Sequence, residues 1–193
     1  MNYLNFLVVI LLAIVLIRTI EVFLFDKNRE KGKVYAGWTL GAFTINYGLM
    51  VLSSIVEYII VRRQINFIIS GIAMIVMVVR FAIKYWAFKS LGKYYSSNIE
   101  IRKPHKLVKT GPYKYLRHPV YLTTLLDYIA IPLFLNSFYT ILWSFSLEIL
   151  IIRIRICFEE KALINKFGDE YIKYKNETGG LIPSFYAQER RNR

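Results

Sequence analysis

Cysteine and histidine are scarce in this chain. Its 193 residues hold one cysteine, Cys157, and two histidines, His105 and His118. One cysteine cannot close an internal disulfide, and two histidines cannot build a His-rich metal centre, so no metal site is expected. Cys157 is expected to pack as a small apolar side chain in a helix. Acidic residues are also few, 13 against 26 lysines and arginines, which leaves a net charge of +13. Neither Gly-x-Gly-x-x-Gly nor Gly-x-x-x-x-Gly-Lys-Ser/Thr occurs, which excludes an ordinary dinucleotide or P-loop site. No Ser/His/Asp grouping stands out either. A long polar stretch able to fold as a basic soluble domain is also missing, so the positive charge does not point to nucleic acid.

What is present is apolar length. The chain is 55% hydrophobic with a mean hydropathy of +0.37. A helix needs roughly 20 apolar residues to cross a bilayer core. Five stretches qualify, over about 4–25, 35–60, 65–88, 119–135 and 138–158. The first lacks a basic leader and a small-residue cleavage site, so it reads as a retained span. The expected fold is therefore an all-α integral membrane bundle of about five transmembrane helices. It divides into an N-terminal part (1–90), a core (91–183) and a polar tail (184–193).

Basic residues orient the bundle. Four lie in the first loop (Lys27, Arg29, Lys31, Lys33) and two in the second (Arg62, Arg63). Nine lie between Lys84 and Arg117, nine between Arg153 and Arg193, and none at the turn Asn136-Ser137. Cytoplasmic loops carry the lysine and arginine excess. The N-terminus is thus expected outside, and the C-terminus and the long third loop in the cytoplasm.

Local signals refine this outline. Asn136-Ser137 leaves almost no linker, so the fourth and fifth spans must form an antiparallel hairpin. Pro119 suits the first position of a helix, and Pro132 is a candidate kink. Gly37-x-x-x-Gly41 admits close approach of another helix or chance occurrence in an apolar segment. Ala162, Leu163, Phe167, Tyr171 and Tyr174 fall on one helical stripe within 159–177. That amphipathic helix either lies on the membrane surface or covers a pocket. Asp127, Glu148 and Arg80 lie within spans, where charges face a protein interior and pair. Arg80 is a possible partner for either carboxylate.

Two clusters carry the candidate chemistry. The third loop holds His105-Lys106-Leu107-Val108, Gly111-Pro112-Tyr113 and Arg117-His118-Pro119-Val120-Tyr121. The residue before proline is biased to extended backbone, which puts His118 at the mouth of the fourth span. An interfacial belt of Tyr and His is the alternative. The fifth span ends in Arg153, Arg155, Glu159 and Glu160, where Arg155 and Glu159 share a face four residues apart. The hairpin brings Arg155 and Glu159 close to His118 and Tyr121, so both clusters can line one site. A salt bridge at a helix end is the simpler reading of that pair.

In these residues the sequence resembles the isoprenylcysteine carboxyl methyltransferase family. The shared pattern is His105-x-Leu107-Val108, Gly111-x-Tyr113, Arg117-His118-Pro119-x-Tyr121, a helical hairpin, Arg155 to Glu159-Glu160, and Phe167-Gly168-Asp169-Glu170-Tyr171. It extends over about 91–183. The resemblance implies a membrane methyltransferase using S-adenosylmethionine. It implies cofactor contacts from His105, Lys106, Leu107, Val108, Tyr113, His118, Pro119, Val120, Tyr121 and Glu159, with Asn98 a further candidate. It gives catalytic roles to Arg155 and Glu159, with Arg155 facing the methyl acceptor. The implied acceptor is isoprenylcysteine-like or otherwise lipophilic and enters from the bilayer. Phospholipid N- or O-methylation and an NADPH-dependent sterol-type reduction are the alternatives.

Overall fold

The structure, a computed structural model, describes residues 9, 13, 16, 33–62, 64–96, 99–101 and 106–183. The span expected at 4–25 therefore lies almost wholly outside the described residues, as do Asn98 and His105. Helices dominate what is described. They are α1 (Trp38–Val61), α2 (Phe67–Leu91), α3 (Pro119–Phe134), α4 (Phe138–Phe167) and α5 (Asp169–Glu177). Short 3-10 turns lie at Gly92–Tyr94 and Gly111–Lys114. A feature not expected of an all-α fold is an antiparallel ribbon, β1 (Lys33–Tyr35) with β2 (Ile99–Ile101), in which Val34 opposes Glu100.

The helices begin and stop where local chemistry dictates. Asn66 caps α2, its side-chain oxygen accepting from the N–H groups of Ile68 and Ile69 at 3.0 and 3.3 Å. Pro119 opens α3, and α3 stops two residues after Pro132, whose carbonyl takes the N–H groups of Leu135 and Ser137. Asn136 turns the chain with φ +58°, a conformation asparagine tolerates well. The N-terminus of α4 is capped from another helix. Glu57 of α1 accepts from the N–H groups of Tyr139 and Thr140 at 3.1 and 2.7 Å, an acidic side chain at the positive end of a helix dipole.

One helix boundary needs correction. The fifth span and the start of the C-terminal amphipathic helix are one continuous 30-residue helix, α4. No residue between Phe158 and Phe167 breaks a helix, whereas Gly168 adopts φ +54° and starts α5. In the Gly37-x-x-x-Gly41 pair, a Cβ built on Gly41 meets nothing within 4 Å among the described residues, which include almost none of the span expected at 4–25.

α3 occupies the middle, packed on α2 and also against α4 and α1. Met50, Ala73, Met77, Tyr128, Ile131 and Phe134 form its core. Elsewhere the usual polarity is reversed. Thr39, Asn46, Ser54, Ser70, Arg80, Asp127, Ser144 and Glu148 are buried, while Ile45, Leu52, Ile60, Phe67, Ile68, Ile75, Val78 and Leu142 are exposed. α1 and α2 are long and apolar enough to cross a membrane, and α3 is a shorter apolar helix. An apolar exterior around a polar seam suits lipid as the surrounding solvent.

The charges inside the spans pair. Arg80 holds Asp127 through two contacts, Nε to Oδ1 at 2.6 Å and Nη2 to Oδ2 at 2.9 Å. Glu148 accepts instead from the amide of Asn46 at 2.8 Å. Cys157 is exposed on α4 rather than packed in the core, because it faces outward beside Ile154 and Phe158.

Candidate functional site

The three-residue turn after α3 sets the site. It returns α4 alongside α3, so the start of α3 and residues 155–160 of α4 meet at one end of the bundle. There Tyr121 donates its hydroxyl to Glu159 Oε2 at 2.6 Å and accepts from Arg155 Nε at 3.3 Å. A single phenol thus bridges a guanidinium and a carboxylate. Arg155 is 3% exposed, while the Glu159 side chain keeps 32%. The buried cation and the open anion therefore face different surroundings through one shared oxygen.

His118 sits on non-helical backbone before Pro119 but short of the extended conformation expected there (φ −127°, ψ 56°). Its ring stacks on Tyr121 with centroids 5.6 Å apart and an interplanar angle of 21°. Nδ1 lies 3.9 Å from Glu159 Oε1 and Nε2 lies 3.3 Å from Glu160 Oε1. Each ring nitrogen thus looks toward a different carboxylate.

Glu160 is the second hub. It accepts from Arg117 Nε at 3.0 Å and Lys175 Nζ at 2.6 Å in addition to His118. Burial alone would push its carboxyl up. The hydrogen bonds from His118 and Lys175 and the Arg117 charge prevail and bring it down to about 2. Arg117 also donates through Nη1 to the carbonyls of Lys175 and Thr178. Beside it the backbone of 115–118 pairs with Gly179 and Gly180, Arg117 N–H to Gly179 at 2.8 Å and His118 N–H to Gly180 at 3.2 Å.

α5 closes over the loop instead of lying apart on a surface. The Tyr174 hydroxyl donates to the carbonyl of Tyr113 at 2.7 Å, and Lys109 pairs with Glu170 at 2.8 Å. Tyr113, Tyr171 and Tyr174 are buried. Burial, with the nearby Glu159 charge, pushes the Tyr113 phenol well above its usual range, so it stays a neutral hydrogen-bonding group. The loop is held on α2 at Gly111. There φ is +61°, and an added Cβ would collide with Ser90 beside Trp86.

Of the residues singled out from sequence, the structure brings His118, Tyr121, Arg155 and Glu159 into direct contact, with Pro119 buried under them. Tyr113 is buried in the adjoining loop. Val120 lies between His118 and Tyr121, its carbonyl accepting from Thr123 and Thr124. Leu107 and Val108 are half-buried and Lys106 is exposed at the loop's described start. Four further residues join these contacts: Arg117 and Glu160, which stood in the motif without a role, and Thr39 and Phe43 of α1, which reach Arg155 and carried no signal in the sequence.

Comparison with known proteins places this geometry. Residues 71–165 match the isoprenylcysteine carboxyl methyltransferase family. The chain belongs to that family. The match starts within α2 and runs through the loop, the hairpin and Arg155 to Glu160, so all the motif residues in contact lie inside it. The family resemblance extends further in individual relatives. The uncharacterised protein YpbQ of Bacillus subtilis is 31% identical over 160 residues, 80% of this chain and 95% of that protein. Protein-S-isoprenylcysteine O-methyltransferase B of Arabidopsis thaliana is 28% identical over 190 residues, 89% of this chain and 90% of that protein. Protein-S-isoprenylcysteine O-methyltransferase of Saccharomyces cerevisiae is 41% identical over 107 residues, 50% of this chain and 41% of that protein. The chain is a membrane methyltransferase of this family, and the relatives do not favour the reductase alternative.

Proposed function

We propose that this methyltransferase uses S-adenosylmethionine to methylate the carboxylate of an isoprenylcysteine-like or similarly lipophilic acceptor drawn from the bilayer. The observation that carries the reading is the Arg155–Tyr121–Glu159 chain, an anion and a cation bridged by one phenol. The donor set suits a cationic cofactor. Glu159 is a partly open carboxylate, and the stacked rings of His118 and Tyr121 offer an aromatic face beside it. In this reading the loop residues from His105 to Val108, with Tyr113, His118, Pro119, Val120 and Tyr121, hold the cofactor, and Glu159 takes its ammonium group. When bound, S-adenosylmethionine supplies a methyl group already activated by a sulfonium. Arg155 orients the acceptor carboxylate with charge-assisted hydrogen bonds. A carboxylate needs no general base, so the work left to the protein is alignment and exclusion of water.

The same proposal sets the topology. The chain crosses the membrane several times, with the N-terminus outside and the site and C-terminus in the cytoplasm. Residues 1–90 form the membrane scaffold, 91–183 the methyl-transfer core and 184–193 a polar tail. Calorimetry on the purified protein tests the cofactor. Micromolar binding of S-adenosylmethionine is expected, lost in Glu159→Ala. Labelled methyl groups should enter a membrane lipid extract or N-acetyl-S-farnesylcysteine as a base-labile ester. A base-stable label would move the reading to an amine or ether acceptor.

A further inference from the structure

Arg155 is a long cation, and α1 supplies two of the contacts that hold it. Nη1 donates to Thr39 Oγ1 at 2.7 Å. The guanidinium carbon lies 4.7 Å from the centre of the Phe43 ring and 5.8 Å from that of Tyr121. The two rings are 6.3 Å apart and inclined by 34°. Aromatic faces fix the plane of a guanidinium, and oxygen acceptors fix its rotation within that plane.

Thr39 is built for this contact. It is fully buried, and its hydroxyl proton goes to the carbonyl of Ala36 at 2.7 Å. The oxygen therefore presents lone pairs, not a proton, to Arg155. Ala36 sits at φ +48°, between β1 and α1, where few side-chain-bearing residues settle. Thr39 and Phe43 are four apart on one helix face, so both reach Arg155 from the same side. α1 has other means of holding α4: Asn46 to Glu148, Ser53 with Thr140 at 2.9 Å, and the Glu57 cap. The Thr39 and Phe43 contacts with Arg155 stand beside these three. Thr39 and Phe43 themselves lie outside residues 71–165, the stretch that matches the family.

We propose that Thr39 and Phe43 are positioning residues, which aim the Arg155 guanidinium at the acid group of the acceptor and make α1 the acceptor-side wall of the site. The inference rests on the assignment of Arg155 to the acceptor. Thr39→Val keeps the shape of the side chain and removes the oxygen, whereas Thr39→Ser keeps the oxygen. Phe43→Leu removes the ring face.

The test measures labelled methyl transfer to N-acetyl-S-farnesylcysteine and to a membrane lipid extract, with S-adenosylmethionine affinity by calorimetry on the same detergent-purified full-length proteins. Thr39→Val is expected to raise the acceptor KM about ten- to hundredfold, the loss of one buried hydrogen bond to a charge. Cofactor affinity should stay within about twofold of wild type, and Thr39→Ser should recover most of the acceptor KM. Phe43→Leu should shift the acceptor KM in the same direction. An unchanged acceptor KM in Thr39→Val overturns the inference. So does a joint loss of acceptor and cofactor binding with a lowered melting midpoint that Thr39→Ser fails to restore, since that pattern marks packing alone. Transfer that survives Arg155→Ala, or a wild-type protein that methylates neither acceptor, defeats the function assigned to Arg155 and this inference with it. A dead Arg155→Ala beside a normal Thr39→Val defeats only the inference.

Discussion

A single oxygen distinguishes the two halves of the candidate site. The Tyr121 hydroxyl donates to Glu159 and accepts from Arg155, so its removal severs both contacts while the ring that stacks on His118 stays. Tyr121→Phe is expected to lower kcat about ten- to hundredfold, as befits loss of a hydrogen bond to charged groups worth about 1.5–3 kcal/mol. Cofactor affinity measured by calorimetry should move much less. Glu160 yields a prediction in pH. Its carboxyl titrates near 2 in the folded protein against an ordinary 4.5, so the stability it adds is fully present above about 4.5. That contribution drains away as pH falls toward 2. Melting midpoints recorded from pH 6 down to 2.5 should drop steeply in the wild type and less steeply in Glu160→Gln. Identical slopes would remove Glu160 as the acid-sensitive latch. That His118, Tyr121, Arg155 and Glu159 meet at one end of the bundle was legible from motif and hairpin. The bridging geometry of Tyr121 was not, because sequence carries no information on which oxygen lies between two charges.

Helices and loops are held by contacts that cross between elements. Gly111 puts the loop onto α2 with φ +61° and no room for a Cβ against Ser90. Gly111→Ala should cost about 1–3 kcal/mol through the strained backbone and should weaken cofactor binding, read by thermal melting and calorimetry. A melting midpoint equal to wild type would show that the loop tolerates a side chain there. At the opposite end Glu57→Ala removes the cap of α4 and is expected to cost about 1 kcal/mol with cofactor affinity unchanged. Here local signals served unevenly. Pro119 marks a real boundary because proline fits the first helical position, whereas the caps at Asn66 and Gly168 were not singled out from sequence. The join of α4 across residue 158 was missed because hydropathy falls there while helix propensity does not.

As a whole the molecule turns its polar seam inward and its apolar surface outward. Asp127→Ala would strand the Arg80 guanidinium inside the bundle, and breaking such a buried pair costs about 3–5 kcal/mol. Loss of the folded, monodisperse protein from detergent extracts is the expected outcome, and Asp127→Glu should restore part of it. The proposed orientation rests on the distribution of lysine and arginine. In a Cys157→Ser background, Lys173→Cys should react with an impermeant thiol reagent only after the membrane is opened, whereas Gln64→Cys should react in intact cells. The reverse pattern would invert the proposed topology.

The sequence by itself determined the membrane character, the hairpin around Asn136, the family and the residues that carry its motif. Those follow from composition, from a turn too short to admit another geometry, and from residue order. Only the tertiary structure decided which partners those residues take. It gave Asp127 to Arg80 and Asn46 to Glu148, folded α5 back onto the loop through Arg117 and Glu160, and brought Thr39 and Phe43 against Arg155. Such pairings join residues 43 to 116 positions apart in the chain. They depend on how the helices pack and rotate against one another, which no local pattern records.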